Sequence, residues 1–321
     1  MAAIRFAILT TPPLMRYTVV LTAAFPSVAR EMLAGEFDVV EHPTEHERTE
    51  EDMIMMLSDA DAAITLLSDP LTRRVLSSNH NLRIVANFAV GYNNVDVVAA
   101  RELGIVVTNT PGVLTEATAD LTIALILAVT RRIVEGDREV RATGRCEWEP
   151  LKLLGASLQN KRLGIIGMGR IGSAVARRAT AFGMDVVHAS RERGTPLGEL
   201  LETSDIVSLH TPLTEATRHI INREALGRMK RGAYLVNTSR GPLVDEQALC
   251  EALDSGHLRG AALDVYEHEP AVNRRLLTMS NVVIVPHIGS ATEEARNAMA
   301  RSAATDVYRF LKGQQPLHSV V

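Results

Sequence analysis

Short runs of aliphatic and β-branched residues recur along the whole chain, and stretches with apolar positions at helical spacing separate them. In the first hundred residues the runs fall at 5–10, 37–41, 62–67 and 82–86, with helix-like stretches at 44–57 and 69–77. The second half repeats the pattern at 106–108, 163–166, 185–189, 206–209, 233–236, 260–264 and 282–285. Strands spaced by helices of this length predict parallel βαβ units and an α/β fold. Runs that stay apolar throughout, instead of alternating, predict a sheet covered on both faces, hence a doubly wound one. Two long helices are predicted at about 116–142 and 292–312, the second opened by a capping box with Ser290 as N-cap and Glu293 as its partner. The partition this suggests is a nucleotide-sized block at 103–288, inserted into a smaller α/β unit made of 1–102 and 289–321. A chain that leaves one domain and returns crosses the junction twice, which predicts a cleft with a two-strand hinge.

Composition narrows the function. The length of 321 residues suits about two domains. With 46% hydrophobic and 22% charged residues, disorder is excluded as the default. Acids (38) slightly outnumber bases (34), so there is no electrostatic case for nucleic acid or anionic lipid. One Trp, five Tyr and six Phe are too few for a base-stacking platform. Cys146 and Cys250 form no disulfide framework and have no metal-ligand spacing, which fits a reducing compartment. The longest apolar stretch, 121–129, is about half a membrane span and is interrupted by Thr122. Arg5, Pro12, Pro13 and Arg16 break the N-terminal apolar residues into pieces, so no signal peptide is predicted and a cytoplasmic, soluble protein is expected.

Chemistry enters at Gly164-Ile-Ile-Gly167-Met168-Gly169-Arg170-Ile171-Gly172, which follows a predicted strand and opens a predicted helix. Gly167, Gly169 and Gly172 satisfy G-x-G-x-x-G. Missing side chains there allow a tight turn, approach of a pyrophosphate and close helix packing. The other notable polar residues sit at the carboxyl ends of predicted strands: Ser190 and Arg191, His210 to Pro212, Thr238 to Arg240, Asp264 to Glu269, and His287. Open α/β sheets bind ligands at that edge. Within the set, Arg240 offers a fork for a carboxylate, His287 can carry a proton near neutral pH, and Glu269 can favour its imidazolium and orient it. With a nicotinamide cofactor these three would reduce a 2-keto acid. NAD-specific units place an acid at the end of the second strand, about 20 residues past the glycines. Here 185–190 ends without one, and Arg191, Glu192 and Arg193 follow; Ser190 and Arg191 can take a 2′-phosphate, against which stands Glu192 turned inward, and NADP(H) is expected over NAD(H).

Several segments resemble the D-isomer-specific 2-hydroxyacid dehydrogenase family. They are Val-Asn-Thr-Ser-Arg-Gly-Pro-Leu-Val-Asp-Glu at 236–246, Leu-Asp-Val-Tyr-Glu-His-Glu-Pro at 263–270 and Pro-His-Ile-Gly-Ser-Ala-Thr at 286–292. Asn-Thr-Pro-Gly-Val-Leu-Thr-Glu-Ala-Thr-Ala-Asp-Leu at 109–121 is similar to the glyoxylate/hydroxypyruvate reductase branch. The likeness spans roughly 60–300; the first sixty residues match in pattern only. It implies a Rossmann-type nucleotide-binding domain inserted into a smaller, flavodoxin-like substrate domain. It assigns Arg240 to the substrate's carboxylate and carbonyl, His287 as acid/base with Glu269 as its partner, and Asp264 to the nicotinamide carboxamide. It also implies cofactor contacts from the 167–172 turn, Ser190, Arg191, His210, Pro212, Thr238, Ser239, His287 and Gly289. The segment 89–94 resembles the loop whose amides at Val90 and Gly91 hold the substrate carboxylate. Asn93 stands where many members have aspartate, beside a retained Asn94. Leu66 closes a strand and is expected either to contact substrate or simply to pack.

The leading expectation is a D-specific reductase of glyoxylate or hydroxypyruvate. A bulkier keto acid, or a cofactor-sensing binding protein of this fold, are the alternatives; phosphite oxidation is disfavoured because that branch has lysine at Val90. No metal is expected: His42 and His46 lack a third ligand, and Pro43 interrupts them. Asp120 and the histidines 80, 219, 257, 268 and 318 read as structural or solvated. A homodimer is expected through the long segment 116–150, with Trp148 either anchoring the interface or reaching the neighbour's pocket.

Overall fold

The computed structural model describes residues 16–43, 48–190 and 193–321. The expected strand at 5–10, His46 and Arg191 lie outside the described residues. The chain divides into two compact units, 1–111 with 297–321, and 112–296.

The first unit carries five parallel strands in the order β2-β1-β3-β4-β5: β1 Thr18–Leu21, β2 Asp38–Glu41, β3 Ala62–Thr65, β4 Ile84–Asn87 and β5 Val106–Thr108. This 2-1-3-4-5 order is the flavodoxin-like one. Every residue of β3 and β4 is buried, as continuous apolar runs require. Two placements differ from the sequence reading. β1, which the hydropathy pattern did not single out, lies between β2 and β3; with only four residues beside the polar Arg16 and Tyr17 it gives a weak local signal. β5, grouped above with the second block, pairs with β4 through Val85 and Val107. The C-terminal segment adds to its free edge, where the Val320 N–H donates to the Val107 carbonyl at 2.8 Å.

The second unit carries six parallel strands in the order β11-β10-β9-β8-β6-β7. They are β6 Arg162–Ile166, β7 Asp185–Ala189, β8 Ile206–Leu209, β9 Ala233–Asn237, β10 Leu258–Leu263 and β11 Val282–Ile284. The chain runs outward from β6 to β7, then returns to the other side of β6 with β8. That reversal opens a crevice at the carboxyl end of β6. Apolar layers cover both faces, one around Leu209, Leu235 and Leu249, the other around Ile126, Leu163 and Val175.

The single helix expected at 116–142 is two, Thr115–Thr130 and Ile133–Thr143, separated at Arg132, whose φ of 55° is left-handed. The returning chain explains the break: the Ala156 N–H takes the Thr130 carbonyl at 2.8 Å, so that carbonyl is engaged from outside the helix. Helix Glu293–Leu311 is capped by Thr292, not Ser290, because the Thr292 hydroxyl accepts from the Ala295 N–H at 3.1 Å. Among the described residues no helix is long and apolar enough to cross a membrane.

Candidate active site

At the end of β6, Gly167 adopts φ 98°, a region side chains avoid, and a Cβ there would run into the His210 carbonyl. A Cβ on Gly172 would strike the Gly167 carbonyl, so this glycine lets helix Arg170–Ala181 close onto the turn. Gly169, the residue just before that helix, meets nothing within 4 Å. Packing therefore explains Gly167 and Gly172 but leaves the open side of Gly169 for a ligand. The orphan N–H groups of the helix's first turn favour an anion there. Met168 and Ile171 pack on the core layer around Ile165, and Arg170 is exposed.

Beside the turn lies a cavity of about 780 Å³, whose walls include Ile166, Ala189, Ser190, Arg193, Pro212 and Thr217. No carboxylate stands among its described lining residues. The Ser190 hydroxyl donates to the Arg193 carbonyl at 2.7 Å, and Ala189 bridges to Gly194. The glycine cradle, the helix N-terminus and this cavity fit a nicotinamide dinucleotide. Two expected cofactor residues have their hydroxyls hydrogen-bonded within the fold. The Thr238 hydroxyl pairs with that of Thr122 at 2.9 Å, and the Ser239 hydroxyl donates to the Thr211 carbonyl at 2.7 Å. Burial lowers the His210 pKa to about 4, so its imidazole is neutral, bonded to the Ser208 hydroxyl at 2.8 Å.

Three adjacent strands bring the acid–base set to one edge. Arg240 follows β9, Asp264 and Glu269 follow β10, and His287 follows β11. His287 Nδ1 and Glu269 Oε2 are hydrogen-bonded at 2.9 Å, and Glu269 Oε1 accepts from the Tyr266 N–H at 2.9 Å. Burial pushes the Glu269 pKa up, but the His287 bond and charge, the Tyr266 N–H and Arg240 together outweigh it and hold it below the usual value. Burial draws the Arg240 pKa down, opposed by Glu269; a guanidinium still stays charged. Gly241 allows this convergence, since a Cβ there would collide with the Tyr266 carbonyl.

Two features of this edge had no signal in the sequence. His287 sits at φ 51°. Its neighbours are fastened by Asp264, whose two oxygens accept the Ile288 N–H at 2.6 Å and the Gly289 N–H at 2.8 Å. Asp264 is buried, and burial raises its pKa against the lowering effect of those N–H groups and of His287. Tyr266 completes the frame by donating to the Val285 carbonyl at 2.8 Å.

In the first unit, Leu66 follows β3 and is half-buried. Its N–H donates to Asp69 at 2.8 Å and its carbonyl accepts from Asn94 at 3.0 Å. Asp69 is itself held in a buried ion pair with Arg48 at 2.9 Å. Val90 and Gly91 lie, half-buried, in the loop after β4. Of the remaining polar residues, Asp120 pairs with Arg178 at 2.7 Å between two helices, His219 with Glu267 at 2.5 Å, and His318 with Asp306 at 3.0 Å.

Residues 123–289 match the family described as D-isomer specific 2-hydroxyacid dehydrogenase, NAD binding domain. A glyoxylate reductase of Korarchaeum cryptofilum is 45% identical over 315 residues, covering 94% of this chain and 95% of that one. Among solved structures, a Thermus thermophilus protein superimposes with a TM-score of 0.89 at 45% identity, covering 95% of this chain and all of its own. An NADPH-dependent glyoxylate/hydroxypyruvate reductase of Sinorhizobium meliloti, solved with NADP and malonate, does so at 0.83 and 32% identity, covering 96% and 97%.

Proposed function

This chain belongs to the D-isomer-specific 2-hydroxyacid dehydrogenase family, in its glyoxylate reductase branch, and from that premise we propose that it reduces glyoxylate to glycolate, or hydroxypyruvate to D-glycerate, with NADPH. The hydrogen-bonded His287–Glu269 pair, on the strand edge that also presents Arg240, carries the reading.

The nicotinamide dinucleotide, when bound, supplies the hydride that reaches the carbonyl carbon. His287 gives the carbonyl oxygen its proton. Because Nδ1 is engaged by Glu269, Nε2 is the nitrogen left to face the oxygen. Glu269 fixes the ring and balances the imidazolium charge. Arg240 holds the substrate's carboxylate and polarises its carbonyl. Within the first unit, the N–H groups of Val90 and Gly91 are the donors for a substrate carboxylate, and Leu66 limits the substrate's size. The 167–172 turn holds the pyrophosphate, and Asp264 accepts from the carboxamide with its remaining lone pairs. His210, Pro212, Thr238, Ser239 and Gly289 shape the dinucleotide's surroundings, chiefly through backbone and packing.

NADPH over NADH rests on a lining in which no described residue is acidic, and on Arg191 and Arg193 after β7, whose charges can neutralise a 2′-phosphate, with the Ser190 hydroxyl able to bond it on releasing the Arg193 carbonyl. A charge-assisted contact contributes about 1.5–3 kcal/mol, so the preference is about 10- to 100-fold. The test follows cofactor oxidation with a panel of 2-keto acids, comparing kcat/KM for NADPH and NADH in wild type and Arg191→Ala. Equal use of both cofactors by the wild type would remove the NADPH assignment. Dinucleotide binding with turnover on no keto acid would replace the enzyme reading with a sensing one.

A further inference from the structure

The loop after β4 is fastened through three consecutive carbonyls. The Ala89 carbonyl accepts from the Thr110 N–H at 2.8 Å, the Val90 carbonyl from Asn109 Nδ2 at 2.7 Å, and the Gly91 carbonyl from Asn87 Nδ2 at 2.9 Å. All three donors stand at the ends of the neighbouring strands β4 and β5. In a trans peptide the carbonyl of one residue and the N–H of the next lie in one plane and point opposite ways. Pinning these carbonyls therefore turns the N–H groups of Val90, Gly91 and Tyr92 away from their fasteners. None of the three donates a hydrogen bond among the described residues. Unpaired N–H groups in series are an anion-binding arrangement.

Neither asparagine is free to swing. Asn87 is fully buried, and its Oδ1 accepts from the Thr65 hydroxyl at 3.3 Å and from Asn94 Nδ2 at 3.2 Å, which leaves Nδ2 for Gly91. Asn109 is buried, with its backbone N–H donating to the His318 carbonyl at 3.3 Å.

We propose that Asn109, backed by Asn87, is a positioning residue: by holding the Val90 carbonyl it aims the Gly91 N–H at the substrate's carboxylate. This rests on the reading that the 90–91 amides take that carboxylate, and it adds what points them. A loop held from behind keeps its N–H groups aimed before substrate arrives, so binding costs less ordering.

The test uses full-length Asn109→Ala and Asn109→Leu. The first loses donor and volume, the second chiefly the donor. Both should raise KM for glyoxylate about 10- to 100-fold, the range for a hydrogen bond to a charged group, with kcat changed by less than about threefold. The Kd for NADPH should hold, and the Kd for oxamate measured with NADPH present should rise in parallel. Methyl glyoxylate, which lacks the carboxylate, should be affected far less. Equal losses on glyoxylate and its ester, a defect in Asn109→Ala alone, or loss of the fold in both variants would assign Asn109 to packing and overturn the proposal. Oxamate separates this from the premise. If the wild type does not bind it, the amides are not a carboxylate site; if wild type and variants bind it alike, only the role of Asn109 falls.

Discussion

His287 carries its ring from a left-handed backbone, φ 51°, which costs a β-carbon residue about 1–3 kcal/mol unless its surroundings impose it. Asp264 imposes it, by tying down the two N–H groups that follow. With the proton transfer proposed for it, His287→Ala should lower kcat about 10²–10⁴-fold while NADPH binding persists. Retention of more than about a tenth of wild-type kcat would take the proton from His287. Its partner yields a second expectation. The Glu269 pKa is depressed in the folded protein, so the pair's contribution is complete above the ordinary value of 4.5 and is lost as pH falls through the lower folded value. The Tm difference between wild type and Glu269→Gln should accordingly shrink as pH falls from about 4.5 into acid. A difference unchanged down to about pH 3 would show that the ionised carboxylate adds nothing beyond its hydrogen bond. Arg240, Glu269 and His287 were legible in the sequence because each follows an apolar run within about five residues. Asp264 as a clamp and Tyr266 as a strut were not, because their partners are backbone groups with no residue signature.

Among the elements, the β6 turn shows how one motif divides its labour. Gly167→Ala places a side chain at φ 98° and against the His210 carbonyl, and should cost at least 1–3 kcal/mol in stability. Gly169→Ala meets no protein atom, so its Tm should fall little, an N-cap change of this kind costing under about 1 kcal/mol. Its NADPH affinity should nevertheless drop about tenfold or more as the methyl group meets the pyrophosphate. Thermal melts and cofactor titrations of the two variants check this. If Gly169→Ala binds NADPH as the wild type does, the pyrophosphate is held elsewhere. The spacing announced all three glycines alike, but only the surrounding backbone separates the one kept open from the two required for closure. Helix ends show the same division. Apolar periodicity runs on from 116 to 142, yet the Ala156 N–H, brought back from a later segment, marks where the first helix stops.

For the molecule as a whole, the second unit exposes Ile133, Val140, Trp148, Leu151 and Leu154 along one stretch of chain, with Trp148 85% and Leu151 81% accessible. We propose that a second copy of this chain covers them, since the patch is contiguous in sequence and joins the helix that has no buried residue of its own. Light scattering should give about twice 34.9 kDa, and a monomer at micromolar concentration would remove the proposal. Trp148→Ala should weaken the dimer; unchanged substrate discrimination in that variant would leave Trp148 as an anchor alone. The amino-acid sequence by itself determined the parallel α/β class, the glycine turn after β6, the edge that carries the polar set, and the family. Those depend on local periodicity and on residue chemistry, which survive without knowledge of neighbours. Only the tertiary structure decided that β1 lies between β2 and β3 and that β5 belongs to the first sheet. It also decided that His287 is left-handed and that asparagines hold the carbonyls of the loop after β4. These rest on backbone groups pairing across long stretches of chain, and a peptide N–H or carbonyl is the same in nearly every residue.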